Sequence, residues 1–193
     1  MNARVFISAA ALALVLGCSD KQQESGQYFH RGDDEIRSGK SAEAIADYDQ
    51  AIQLNPKFAD AYNQRGLAKK FKGDVDGAIA DYSKAIELNP KFALAYCYRG
   101  IARIKNNDSQ GALADYDQAI ALDPKLALAF NARGNWKIDN GDLDGAIADF
   151  NQAIRLNPNV ALYYNNRGRA KEKKGDPQGA AADHNEATKL KGR

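Results

Sequence analysis

Residues 59–92 read ADAYNQRGLAKKFKGDVDGAIADYSKAIELNPKF, and the pattern returns, with substitutions, in the blocks before and after them. An Arg-Gly pair recurs every 34 residues, at Arg31-Gly32, Arg65-Gly66, Arg99-Gly100, Arg133-Gly134 and Arg167-Gly168. An aspartate followed by a ring-bearing residue recurs in step, at Asp47-Tyr48, Asp81-Tyr82, Asp115-Tyr116, Asp149-Phe150 and Asp183-His184. Agreement at so many positions predicts an array of structural repeats.

Each block holds two stretches in which apolar residues recur with the helical period, and a short turn separates them. The turn carries a residue that tolerates the left-handed conformation ending a helix: Gly39, Gly73, Asn107, Gly141 or Gly175. In four blocks an aspartate follows and can cap the second helix. A proline then ends that helix before the next block. The pattern predicts five helical hairpins, at residues 25–58, 59–92, 93–126, 127–160 and 161–193.

This pattern resembles the tetratricopeptide repeat. In the second block the marks of that family fall on Tyr62, Gly66, Ala78, Tyr82, Ala85 and Pro90. The resemblance implies an all-α fold, a right-handed α-α superhelix built from five 34-residue helix-turn-helix repeats. It also implies that the first helices line a concave groove that binds a protein or peptide. In the fifth block His184 replaces the aromatic residue, and we expect the last helix to be a polar cap.

The repeated arginines and aspartates predict structural ion pairs between the two helices of each hairpin. An arginine at a mostly apolar position needs a carboxylate partner to satisfy its donors. A catalytic role is the alternative, but activity does not require five copies. The predicted pairs join Arg31, Arg65, Arg99, Arg133 and Arg167 to Asp47, Asp81, Asp115, Asp149 and Asp183.

The expected groove has an apolar floor in the middle of the array and asparagine amides that could hold a peptide backbone. Ile101, Ile104 and Ile138 could instead belong to the core between hairpins. The lysine, asparagine and arginine clamp with which some family members grip a C-terminal carboxylate is absent. The predicted groove residues are Asn63, Leu67, Leu94, Cys97, Tyr98, Ile101, Leu128, Asn131, Asn135, Asn165 and Arg169.

Composition and motifs argue against several other functions. Lysine and arginine total 27 against 25 aspartates and glutamates, so no strong positive field favours a nucleic-acid partner. The sequence shows no phosphate-binding glycine loop, metal-ligand cluster or nucleophile elbow. We therefore expect no catalytic residues, no metal, no cofactor and no small-molecule substrate.

The N-terminus predicts export and lipid attachment. Arg4 precedes an apolar run at residues 5–16, which is shorter than the roughly 20 residues of a transmembrane helix. The run ends in VLGC at residues 15–18, which resembles the lipobox of bacterial lipoproteins. This predicts a signal peptide at 1–17, lipidation at Cys18, and a flexible tether at 18–24. An ordinary signal peptide followed by an unmodified cysteine is the alternative.

These features predict a scaffold or adaptor protein anchored by lipid in the bacterial cell envelope, on an outer membrane and facing the periplasm. The membrane contact comes through the lipid, and a protein or peptide partner occupies the groove. With Cys18 acylated, Cys97 has no partner for a disulfide. The alternative function is an assembly factor or holdase for envelope or secretion subunits. An enzyme is the least supported reading.

Overall fold

The structure is a computed structural model that describes the backbone of residues 9–192 and the side chains of residues 20–192. The described residues form ten α-helices and no strand. The predicted all-α fold of five helix-turn-helix hairpins is therefore confirmed. None of the helices in this part of the chain combines the length and the apolar character that a membrane span requires.

The chain divides into two compact units. The first ends at Leu88 and contains two hairpins, α1 with α2 and α3 with α4, in which α2 also packs against α3. Its helices are α1 (Ala9–Arg37), α2 (Ser41–Leu54), α3 (Ala59–Phe71) and α4 (Val75–Leu88).

The second unit begins at Asn89 and contains three hairpins. Within it the first helices of successive hairpins are neighbours, because α5 contacts α7 and α7 contacts α9. These three helices therefore present one surface built from equivalent repeat positions. The helices of this unit are α5 (Ala93–Lys105), α6 (Ser109–Leu122), α7 (Ala127–Asp139), α8 (Leu143–Leu156), α9 (Ala161–Lys174) and α10 (Pro177–Lys191).

The turns within the hairpins follow the sequence prediction. All five predicted turn residues have a positive φ. Four of them are glycines, and the fifth, Asn107, has a φ of 60°. The Asp142 side chain then accepts a hydrogen bond from the Gly145 amide at 2.9 Å and caps α8. Equivalent caps form at Asp74, Asp108 and Asp176. The first hairpin has Lys40 at this place, and α2 begins without a side-chain cap.

Glycine in the Arg-Gly pair lets the two helices of a hairpin approach closely. A Cβ atom on Gly134 would lie 2.7 Å from Cε1 of Phe150, far inside van der Waals contact. The same ring position is filled by Tyr48 and Tyr82 in earlier hairpins, and all three rings are fully buried. The glycine and the ring are therefore one packing feature, repeated in each hairpin.

The structure differs from the sequence prediction at residues 18–24, where a flexible tether was expected and α1 is continuous. Lysine, glutamine and glutamate favour helix, and the segment lacks a helix breaker. Just beyond it, the buried Ser25 hydroxyl donates a hydrogen bond to the Ala51 carbonyl at 2.8 Å and attaches α1 to α2. Residues 1–8 of the predicted signal peptide, and the Cys18 side chain with its predicted lipid, lie outside the described part of the structure.

Candidate functional site

The second unit contains an open pocket of about 300 Å³ between α5 and α7. Its walls are mainly aliphatic and aromatic, and its rim carries two amides and two charged groups. The lining residues are Ile101, Ile104, Lys105, Tyr116, Leu128, Asn131, Ala132, Asn135, Trp136 and Asp139. The pocket therefore joins an apolar interior to a polar edge, a composition that is typical of binding sites.

Trp136, the one tryptophan of the chain, forms a fixed wall of this pocket. Its indole N–H donates to the Ser109 carbonyl at 2.9 Å and to the Ser109 hydroxyl at 2.8 Å. An indole has a single donor, so these bonds use its polar capacity and leave the ring to offer apolar contact. The ring position is set before any ligand arrives.

The polar rim is held by hydrogen bonds within the chain. The Asn135 amide nitrogen donates to the Asn131 carbonyl at 3.0 Å, and its Oδ1 accepts from Arg169 Nη2 at 2.6 Å. The Asn131 Oδ1 accepts from the Asn166 amide at 2.8 Å. Asn135 is thus committed to positioning Arg169, whose guanidinium is exposed and forms no ion pair with the described residues.

Two predicted groove residues do not face an open surface. Cys97 is fully buried and packs in a core cluster with Tyr116 and Ala129. Asn63 is 2% exposed in the first unit, where its amide donates to Gln64 at 3.2 Å. Both occupy the same repeat position on the first helix, and in these two hairpins packed neighbours cover it. The expectation that these two side chains contact a ligand is therefore corrected.

The remaining predicted groove residues separate into those at the pocket and those away from it. Ile101, Leu128, Asn131 and Asn135 line the pocket, and Arg169 is bonded to its rim. Ile104 also lines the pocket, whereas Ile138 is 3% exposed and belongs to the core. The alternative that these isoleucines are core residues therefore holds for Ile138 and not for Ile104. Half-buried positions outside the lining are Leu67, Leu94, Tyr98 and Asn165.

Five pocket residues were not predicted as groove residues from the sequence: Lys105, Tyr116, Ala132, Trp136 and Asp139. The sequence could have indicated Asp139, because it follows Asn135 by four residues and so lies on the same helix face. Lys105 occupies the equivalent repeat position on α5. Trp136 adds the aromatic wall, and Lys105 and Asp139 add both charges of the rim.

The structure pairs each repeated arginine with its aspartate. In the fourth hairpin Arg133 donates from Nε and Nη2 to the two carboxylate oxygens of Asp149, at 2.9 and 2.8 Å. Lys137 adds a contact to Asp149 at 2.9 Å, and Arg133 lies over the Phe130 ring at 5.7 Å. The hydrogen bond to Asp149 raises the pKa of the Arg133 guanidinium above its usual range. The other pairs join Arg31, Arg65, Arg99 and Arg167 to Asp47, Asp81, Asp115 and Asp183.

Some of these arginines also connect neighbouring hairpins. Arg133 Nη1 donates to Asp117 on the preceding hairpin at 2.7 Å, and Arg167 Nη1 donates to Asn151 in the same way at 2.7 Å. Burial alone would raise the pKa of Asp183, but hydrogen bonds from Arg167 and Lys171 outweigh it and lower that pKa. Arg133 and Arg167 therefore use their donors in hydrogen bonds within the chain.

The first hairpin breaks the charge pattern. Where later hairpins place Lys69, Arg103, Lys137 or Lys171 beside the buried aspartate, the first has Glu35. Its Oε2 atom is buried without a hydrogen-bond partner among the described residues. Burial, and then the charge of Asp47, raise the pKa of Glu35.

Comparison with known proteins agrees with this architecture. A family model described as TPR repeat matches residues 32–70, 72–107 and 134–175, and one described as Tetratricopeptide repeat matches residues 93–126. The chain belongs to the tetratricopeptide repeat family. The fold of this family typically serves as an interaction scaffold. The described residues contain no cluster of three or more side chains that could hold a metal ion.

Individual relatives are more distant. Tetratricopeptide repeat protein 16 from Homo sapiens is 43% identical over 54 residues, which cover 28% of this chain and only 6% of that protein. The crystal structure of MamA aligns with a TM-score of 0.69 at 26% identity, covering 83% of this chain and 94% of MamA. The structure of YrrB, described as having an unusual peptide-binding site, aligns with a TM-score of 0.64 at 20% identity, covering 92% of each chain.

Proposed function

We propose that this chain is a protein-interaction scaffold that binds a peptide segment of a partner in the pocket between α5 and α7. The observation that carries the proposal is preorganisation: Trp136, Asn135 and Arg169 are already fixed or oriented by bonds within the chain. A site that is ordered before binding loses little conformational entropy when the ligand arrives.

The dimensions of the pocket favour side chains of a polypeptide as its occupants. A volume of about 300 Å³ lies at the lower limit of the range for small-molecule sites, so one or two large apolar side chains would fill it. The rest of a bound segment would then lie across the surface of neighbouring first helices. The solved structure of YrrB has a peptide-binding site by its description, which supports the same use of this fold here.

Affinity capture followed by mass spectrometry tests this proposal. Ile104→Asp places a charge inside the pocket at a side chain that is 39% exposed, so the fold tolerates it. Phe71→Asp is the matched control, because Phe71 is 61% exposed on α3 and outside the pocket. The captured partner should be lost with Ile104→Asp and retained with Phe71→Asp. Equal capture by both variants would place binding elsewhere.

The same experiment separates the scaffold from an assembly factor or holdase. A scaffold retains one partner at fixed stoichiometry through repeated washing. A holdase retains many unrelated clients weakly, because it recognises exposed apolar surface in unfolded chains.

We further propose that Cys18 is lipidated and anchors the chain in the bacterial cell envelope, with the outer membrane, facing the periplasm, as the expected site. The order of Arg4, the apolar run at residues 5–16 and the VLGC sequence at residues 15–18 supports this proposal. Metabolic labelling with a fatty acid should mark the wild-type chain, and Cys18→Ser should abolish both the label and membrane recovery. Unchanged membrane recovery of that variant would refute the lipid anchor.

A further inference from the structure

The site proposed above carries an uncompensated positive charge at one edge. Arg169 uses one guanidinium N–H in its bond to Asn135, and a guanidinium has five. Glu172, the nearest carboxylate by helical spacing on α9, contacts His184 at 3.3 Å instead. An oriented guanidinium with unused donors matches the planar geometry of a carboxylate.

The two charged residues that line the pocket, Lys105 on α5 and Asp139 on α7, carry opposite charges. Arg169 therefore sets the electrostatic preference of the site. A ligand with a negative group on the α9 side is favoured over one that is neutral or positive there.

An exposed apolar side chain lies on the same helix as Arg169. Leu162 is 53% exposed and precedes Arg169 by seven residues, two helical turns, so both side chains lie on the same face of α9. A ligand that ended with its own C-terminal carboxylate at Arg169 would leave this leucine uncovered. A chain that continued past Arg169 could cover it.

We propose that the site recognises an internal peptide segment in which an acidic side chain stands between two large apolar side chains. The first apolar side chain fills the pocket, the carboxylate of an aspartate or glutamate binds Arg169, and the second apolar side chain packs on Leu162. This inference rests on the proposed function, since it names the class of segment that the same pocket accepts.

The geometry limits the spacing of the three side chains. A single Asn135 side chain separates the pocket from Arg169, so an extended ligand, at about 3.3 Å per residue, needs one or two residues to cross it. Seven helical residues separate Leu162 from Arg169 and rise about 10.5 Å, which roughly three extended residues span.

Two displayed peptide libraries test this inference against the full chain. One presents random twelve-residue segments inside a carrier loop, and the other presents them with a free C-terminus. The internal library should enrich segments with an acidic residue flanked by apolar residues at the stated spacing. Enrichment of apolar segments without the acidic residue would overturn the inference, as would enrichment confined to free C-termini.

Variants connect the enriched segments to the named side chains. Binding of a synthetic, N-acetylated and C-amidated version is followed by the fluorescence of Trp136, the single tryptophan in the pocket. Arg169→Gln should weaken binding about tenfold or more, because it removes a charge-assisted hydrogen bond. Arg155→Gln, which removes an exposed arginine from α8, should change binding less than twofold.

The outcomes distinguish this inference from the proposed function. If enriched segments bind the wild type and fail with Ile104→Asp, yet ignore Arg169→Gln, the pocket binds peptide but the acidic preference is wrong. If neither library enriches a segment that distinguishes the wild type from Ile104→Asp, both proposals fail. Melting curves of the variants show whether each remains folded.

Discussion

Removing the carboxylate charge of Asp149 should destabilise the second unit markedly. Its side chain is 6% exposed, accepts hydrogen bonds from Arg133 and forms an ion pair with Lys137. Breaking a buried ion pair by removing one partner costs about 3–5 kcal/mol. Arg133 and Lys137 each keep 20% exposure, which lets water screen the unpaired charges. We therefore expect Asp149→Asn to lower the free energy of unfolding by about 2–3 kcal/mol.

The assay is urea unfolding followed by far-ultraviolet circular dichroism, with thermal melting as a second measurement. A loss of this size corresponds to roughly 4–12 °C in Tm for a chain of this length. Asp117→Asn is the matched control, since Asp117 bonds to the same Arg133 but its side chain is 53% exposed. An exposed pair contributes about 0–1 kcal/mol. Equal effects of the two variants would refute the reasoning that burial sets the contribution of the pair.

Three further substitutions test the packing and charge of single hairpins by the same unfolding measurements. Glu35→Gln should raise stability at neutral pH by up to about 1 kcal/mol, since it removes a charge beside Asp47. Because the pKa of Glu35 is raised, its contribution to stability is lost as pH rises through that pKa, and the variant should show a flatter pH dependence. Gly134→Ala should lower the free energy of unfolding by about 1–3 kcal/mol through overpacking. Gly26→Ala, with no atom within 4 Å of the new Cβ, should not lower it. Asn107→Ala should lower the free energy of unfolding by about 1 kcal/mol because the residue has a φ of 60°, and Asn107→Gly should not lower it. Equal stability of the two glycine variants would contradict the packing argument, and equal stability of the two Asn107 variants would contradict the turn argument.

The hairpins and their ion pairs could be predicted from sequence because each depends on residues at fixed separations. Gly141 ends one helix, Asp142 begins the next, and both roles follow from local backbone chemistry. Arg133 and Asp149 are 16 residues apart, a separation that the hairpin turns into direct contact. Nothing about neighbouring hairpins is needed to anticipate either feature.

The direction in which each side chain faces was harder to predict, because it depends on packing between hairpins. A helical wheel places Cys97 and Ile101 four residues apart on one face, yet Cys97 is fully buried and Ile101 reaches the pocket. Asn131 was expected to offer its amide to a ligand. Its oxygen instead accepts from Asn166 at 2.8 Å, because a buried polar atom without a partner is costly.

The division between structural and binding residues follows from how the positions vary among the hairpins. A residue repeated in all five hairpins, such as the arginine of each ion pair, meets a need that every hairpin shares and is consumed by contacts within the chain. The position two residues after that arginine behaves differently, since it holds Asp33, Leu67, Ile101, Asn135 and Arg169 in turn. An acid, two aliphatic side chains, an amide and a cation cannot serve one common packing role. In the second unit the last three members form the apolar wall, the polar rim and the charged edge of the site. We therefore expect recognition to depend on the position where the repeats differ, and exchanging Asn135 for leucine should convert the rim to apolar wall and release Arg169, while the fold remains intact.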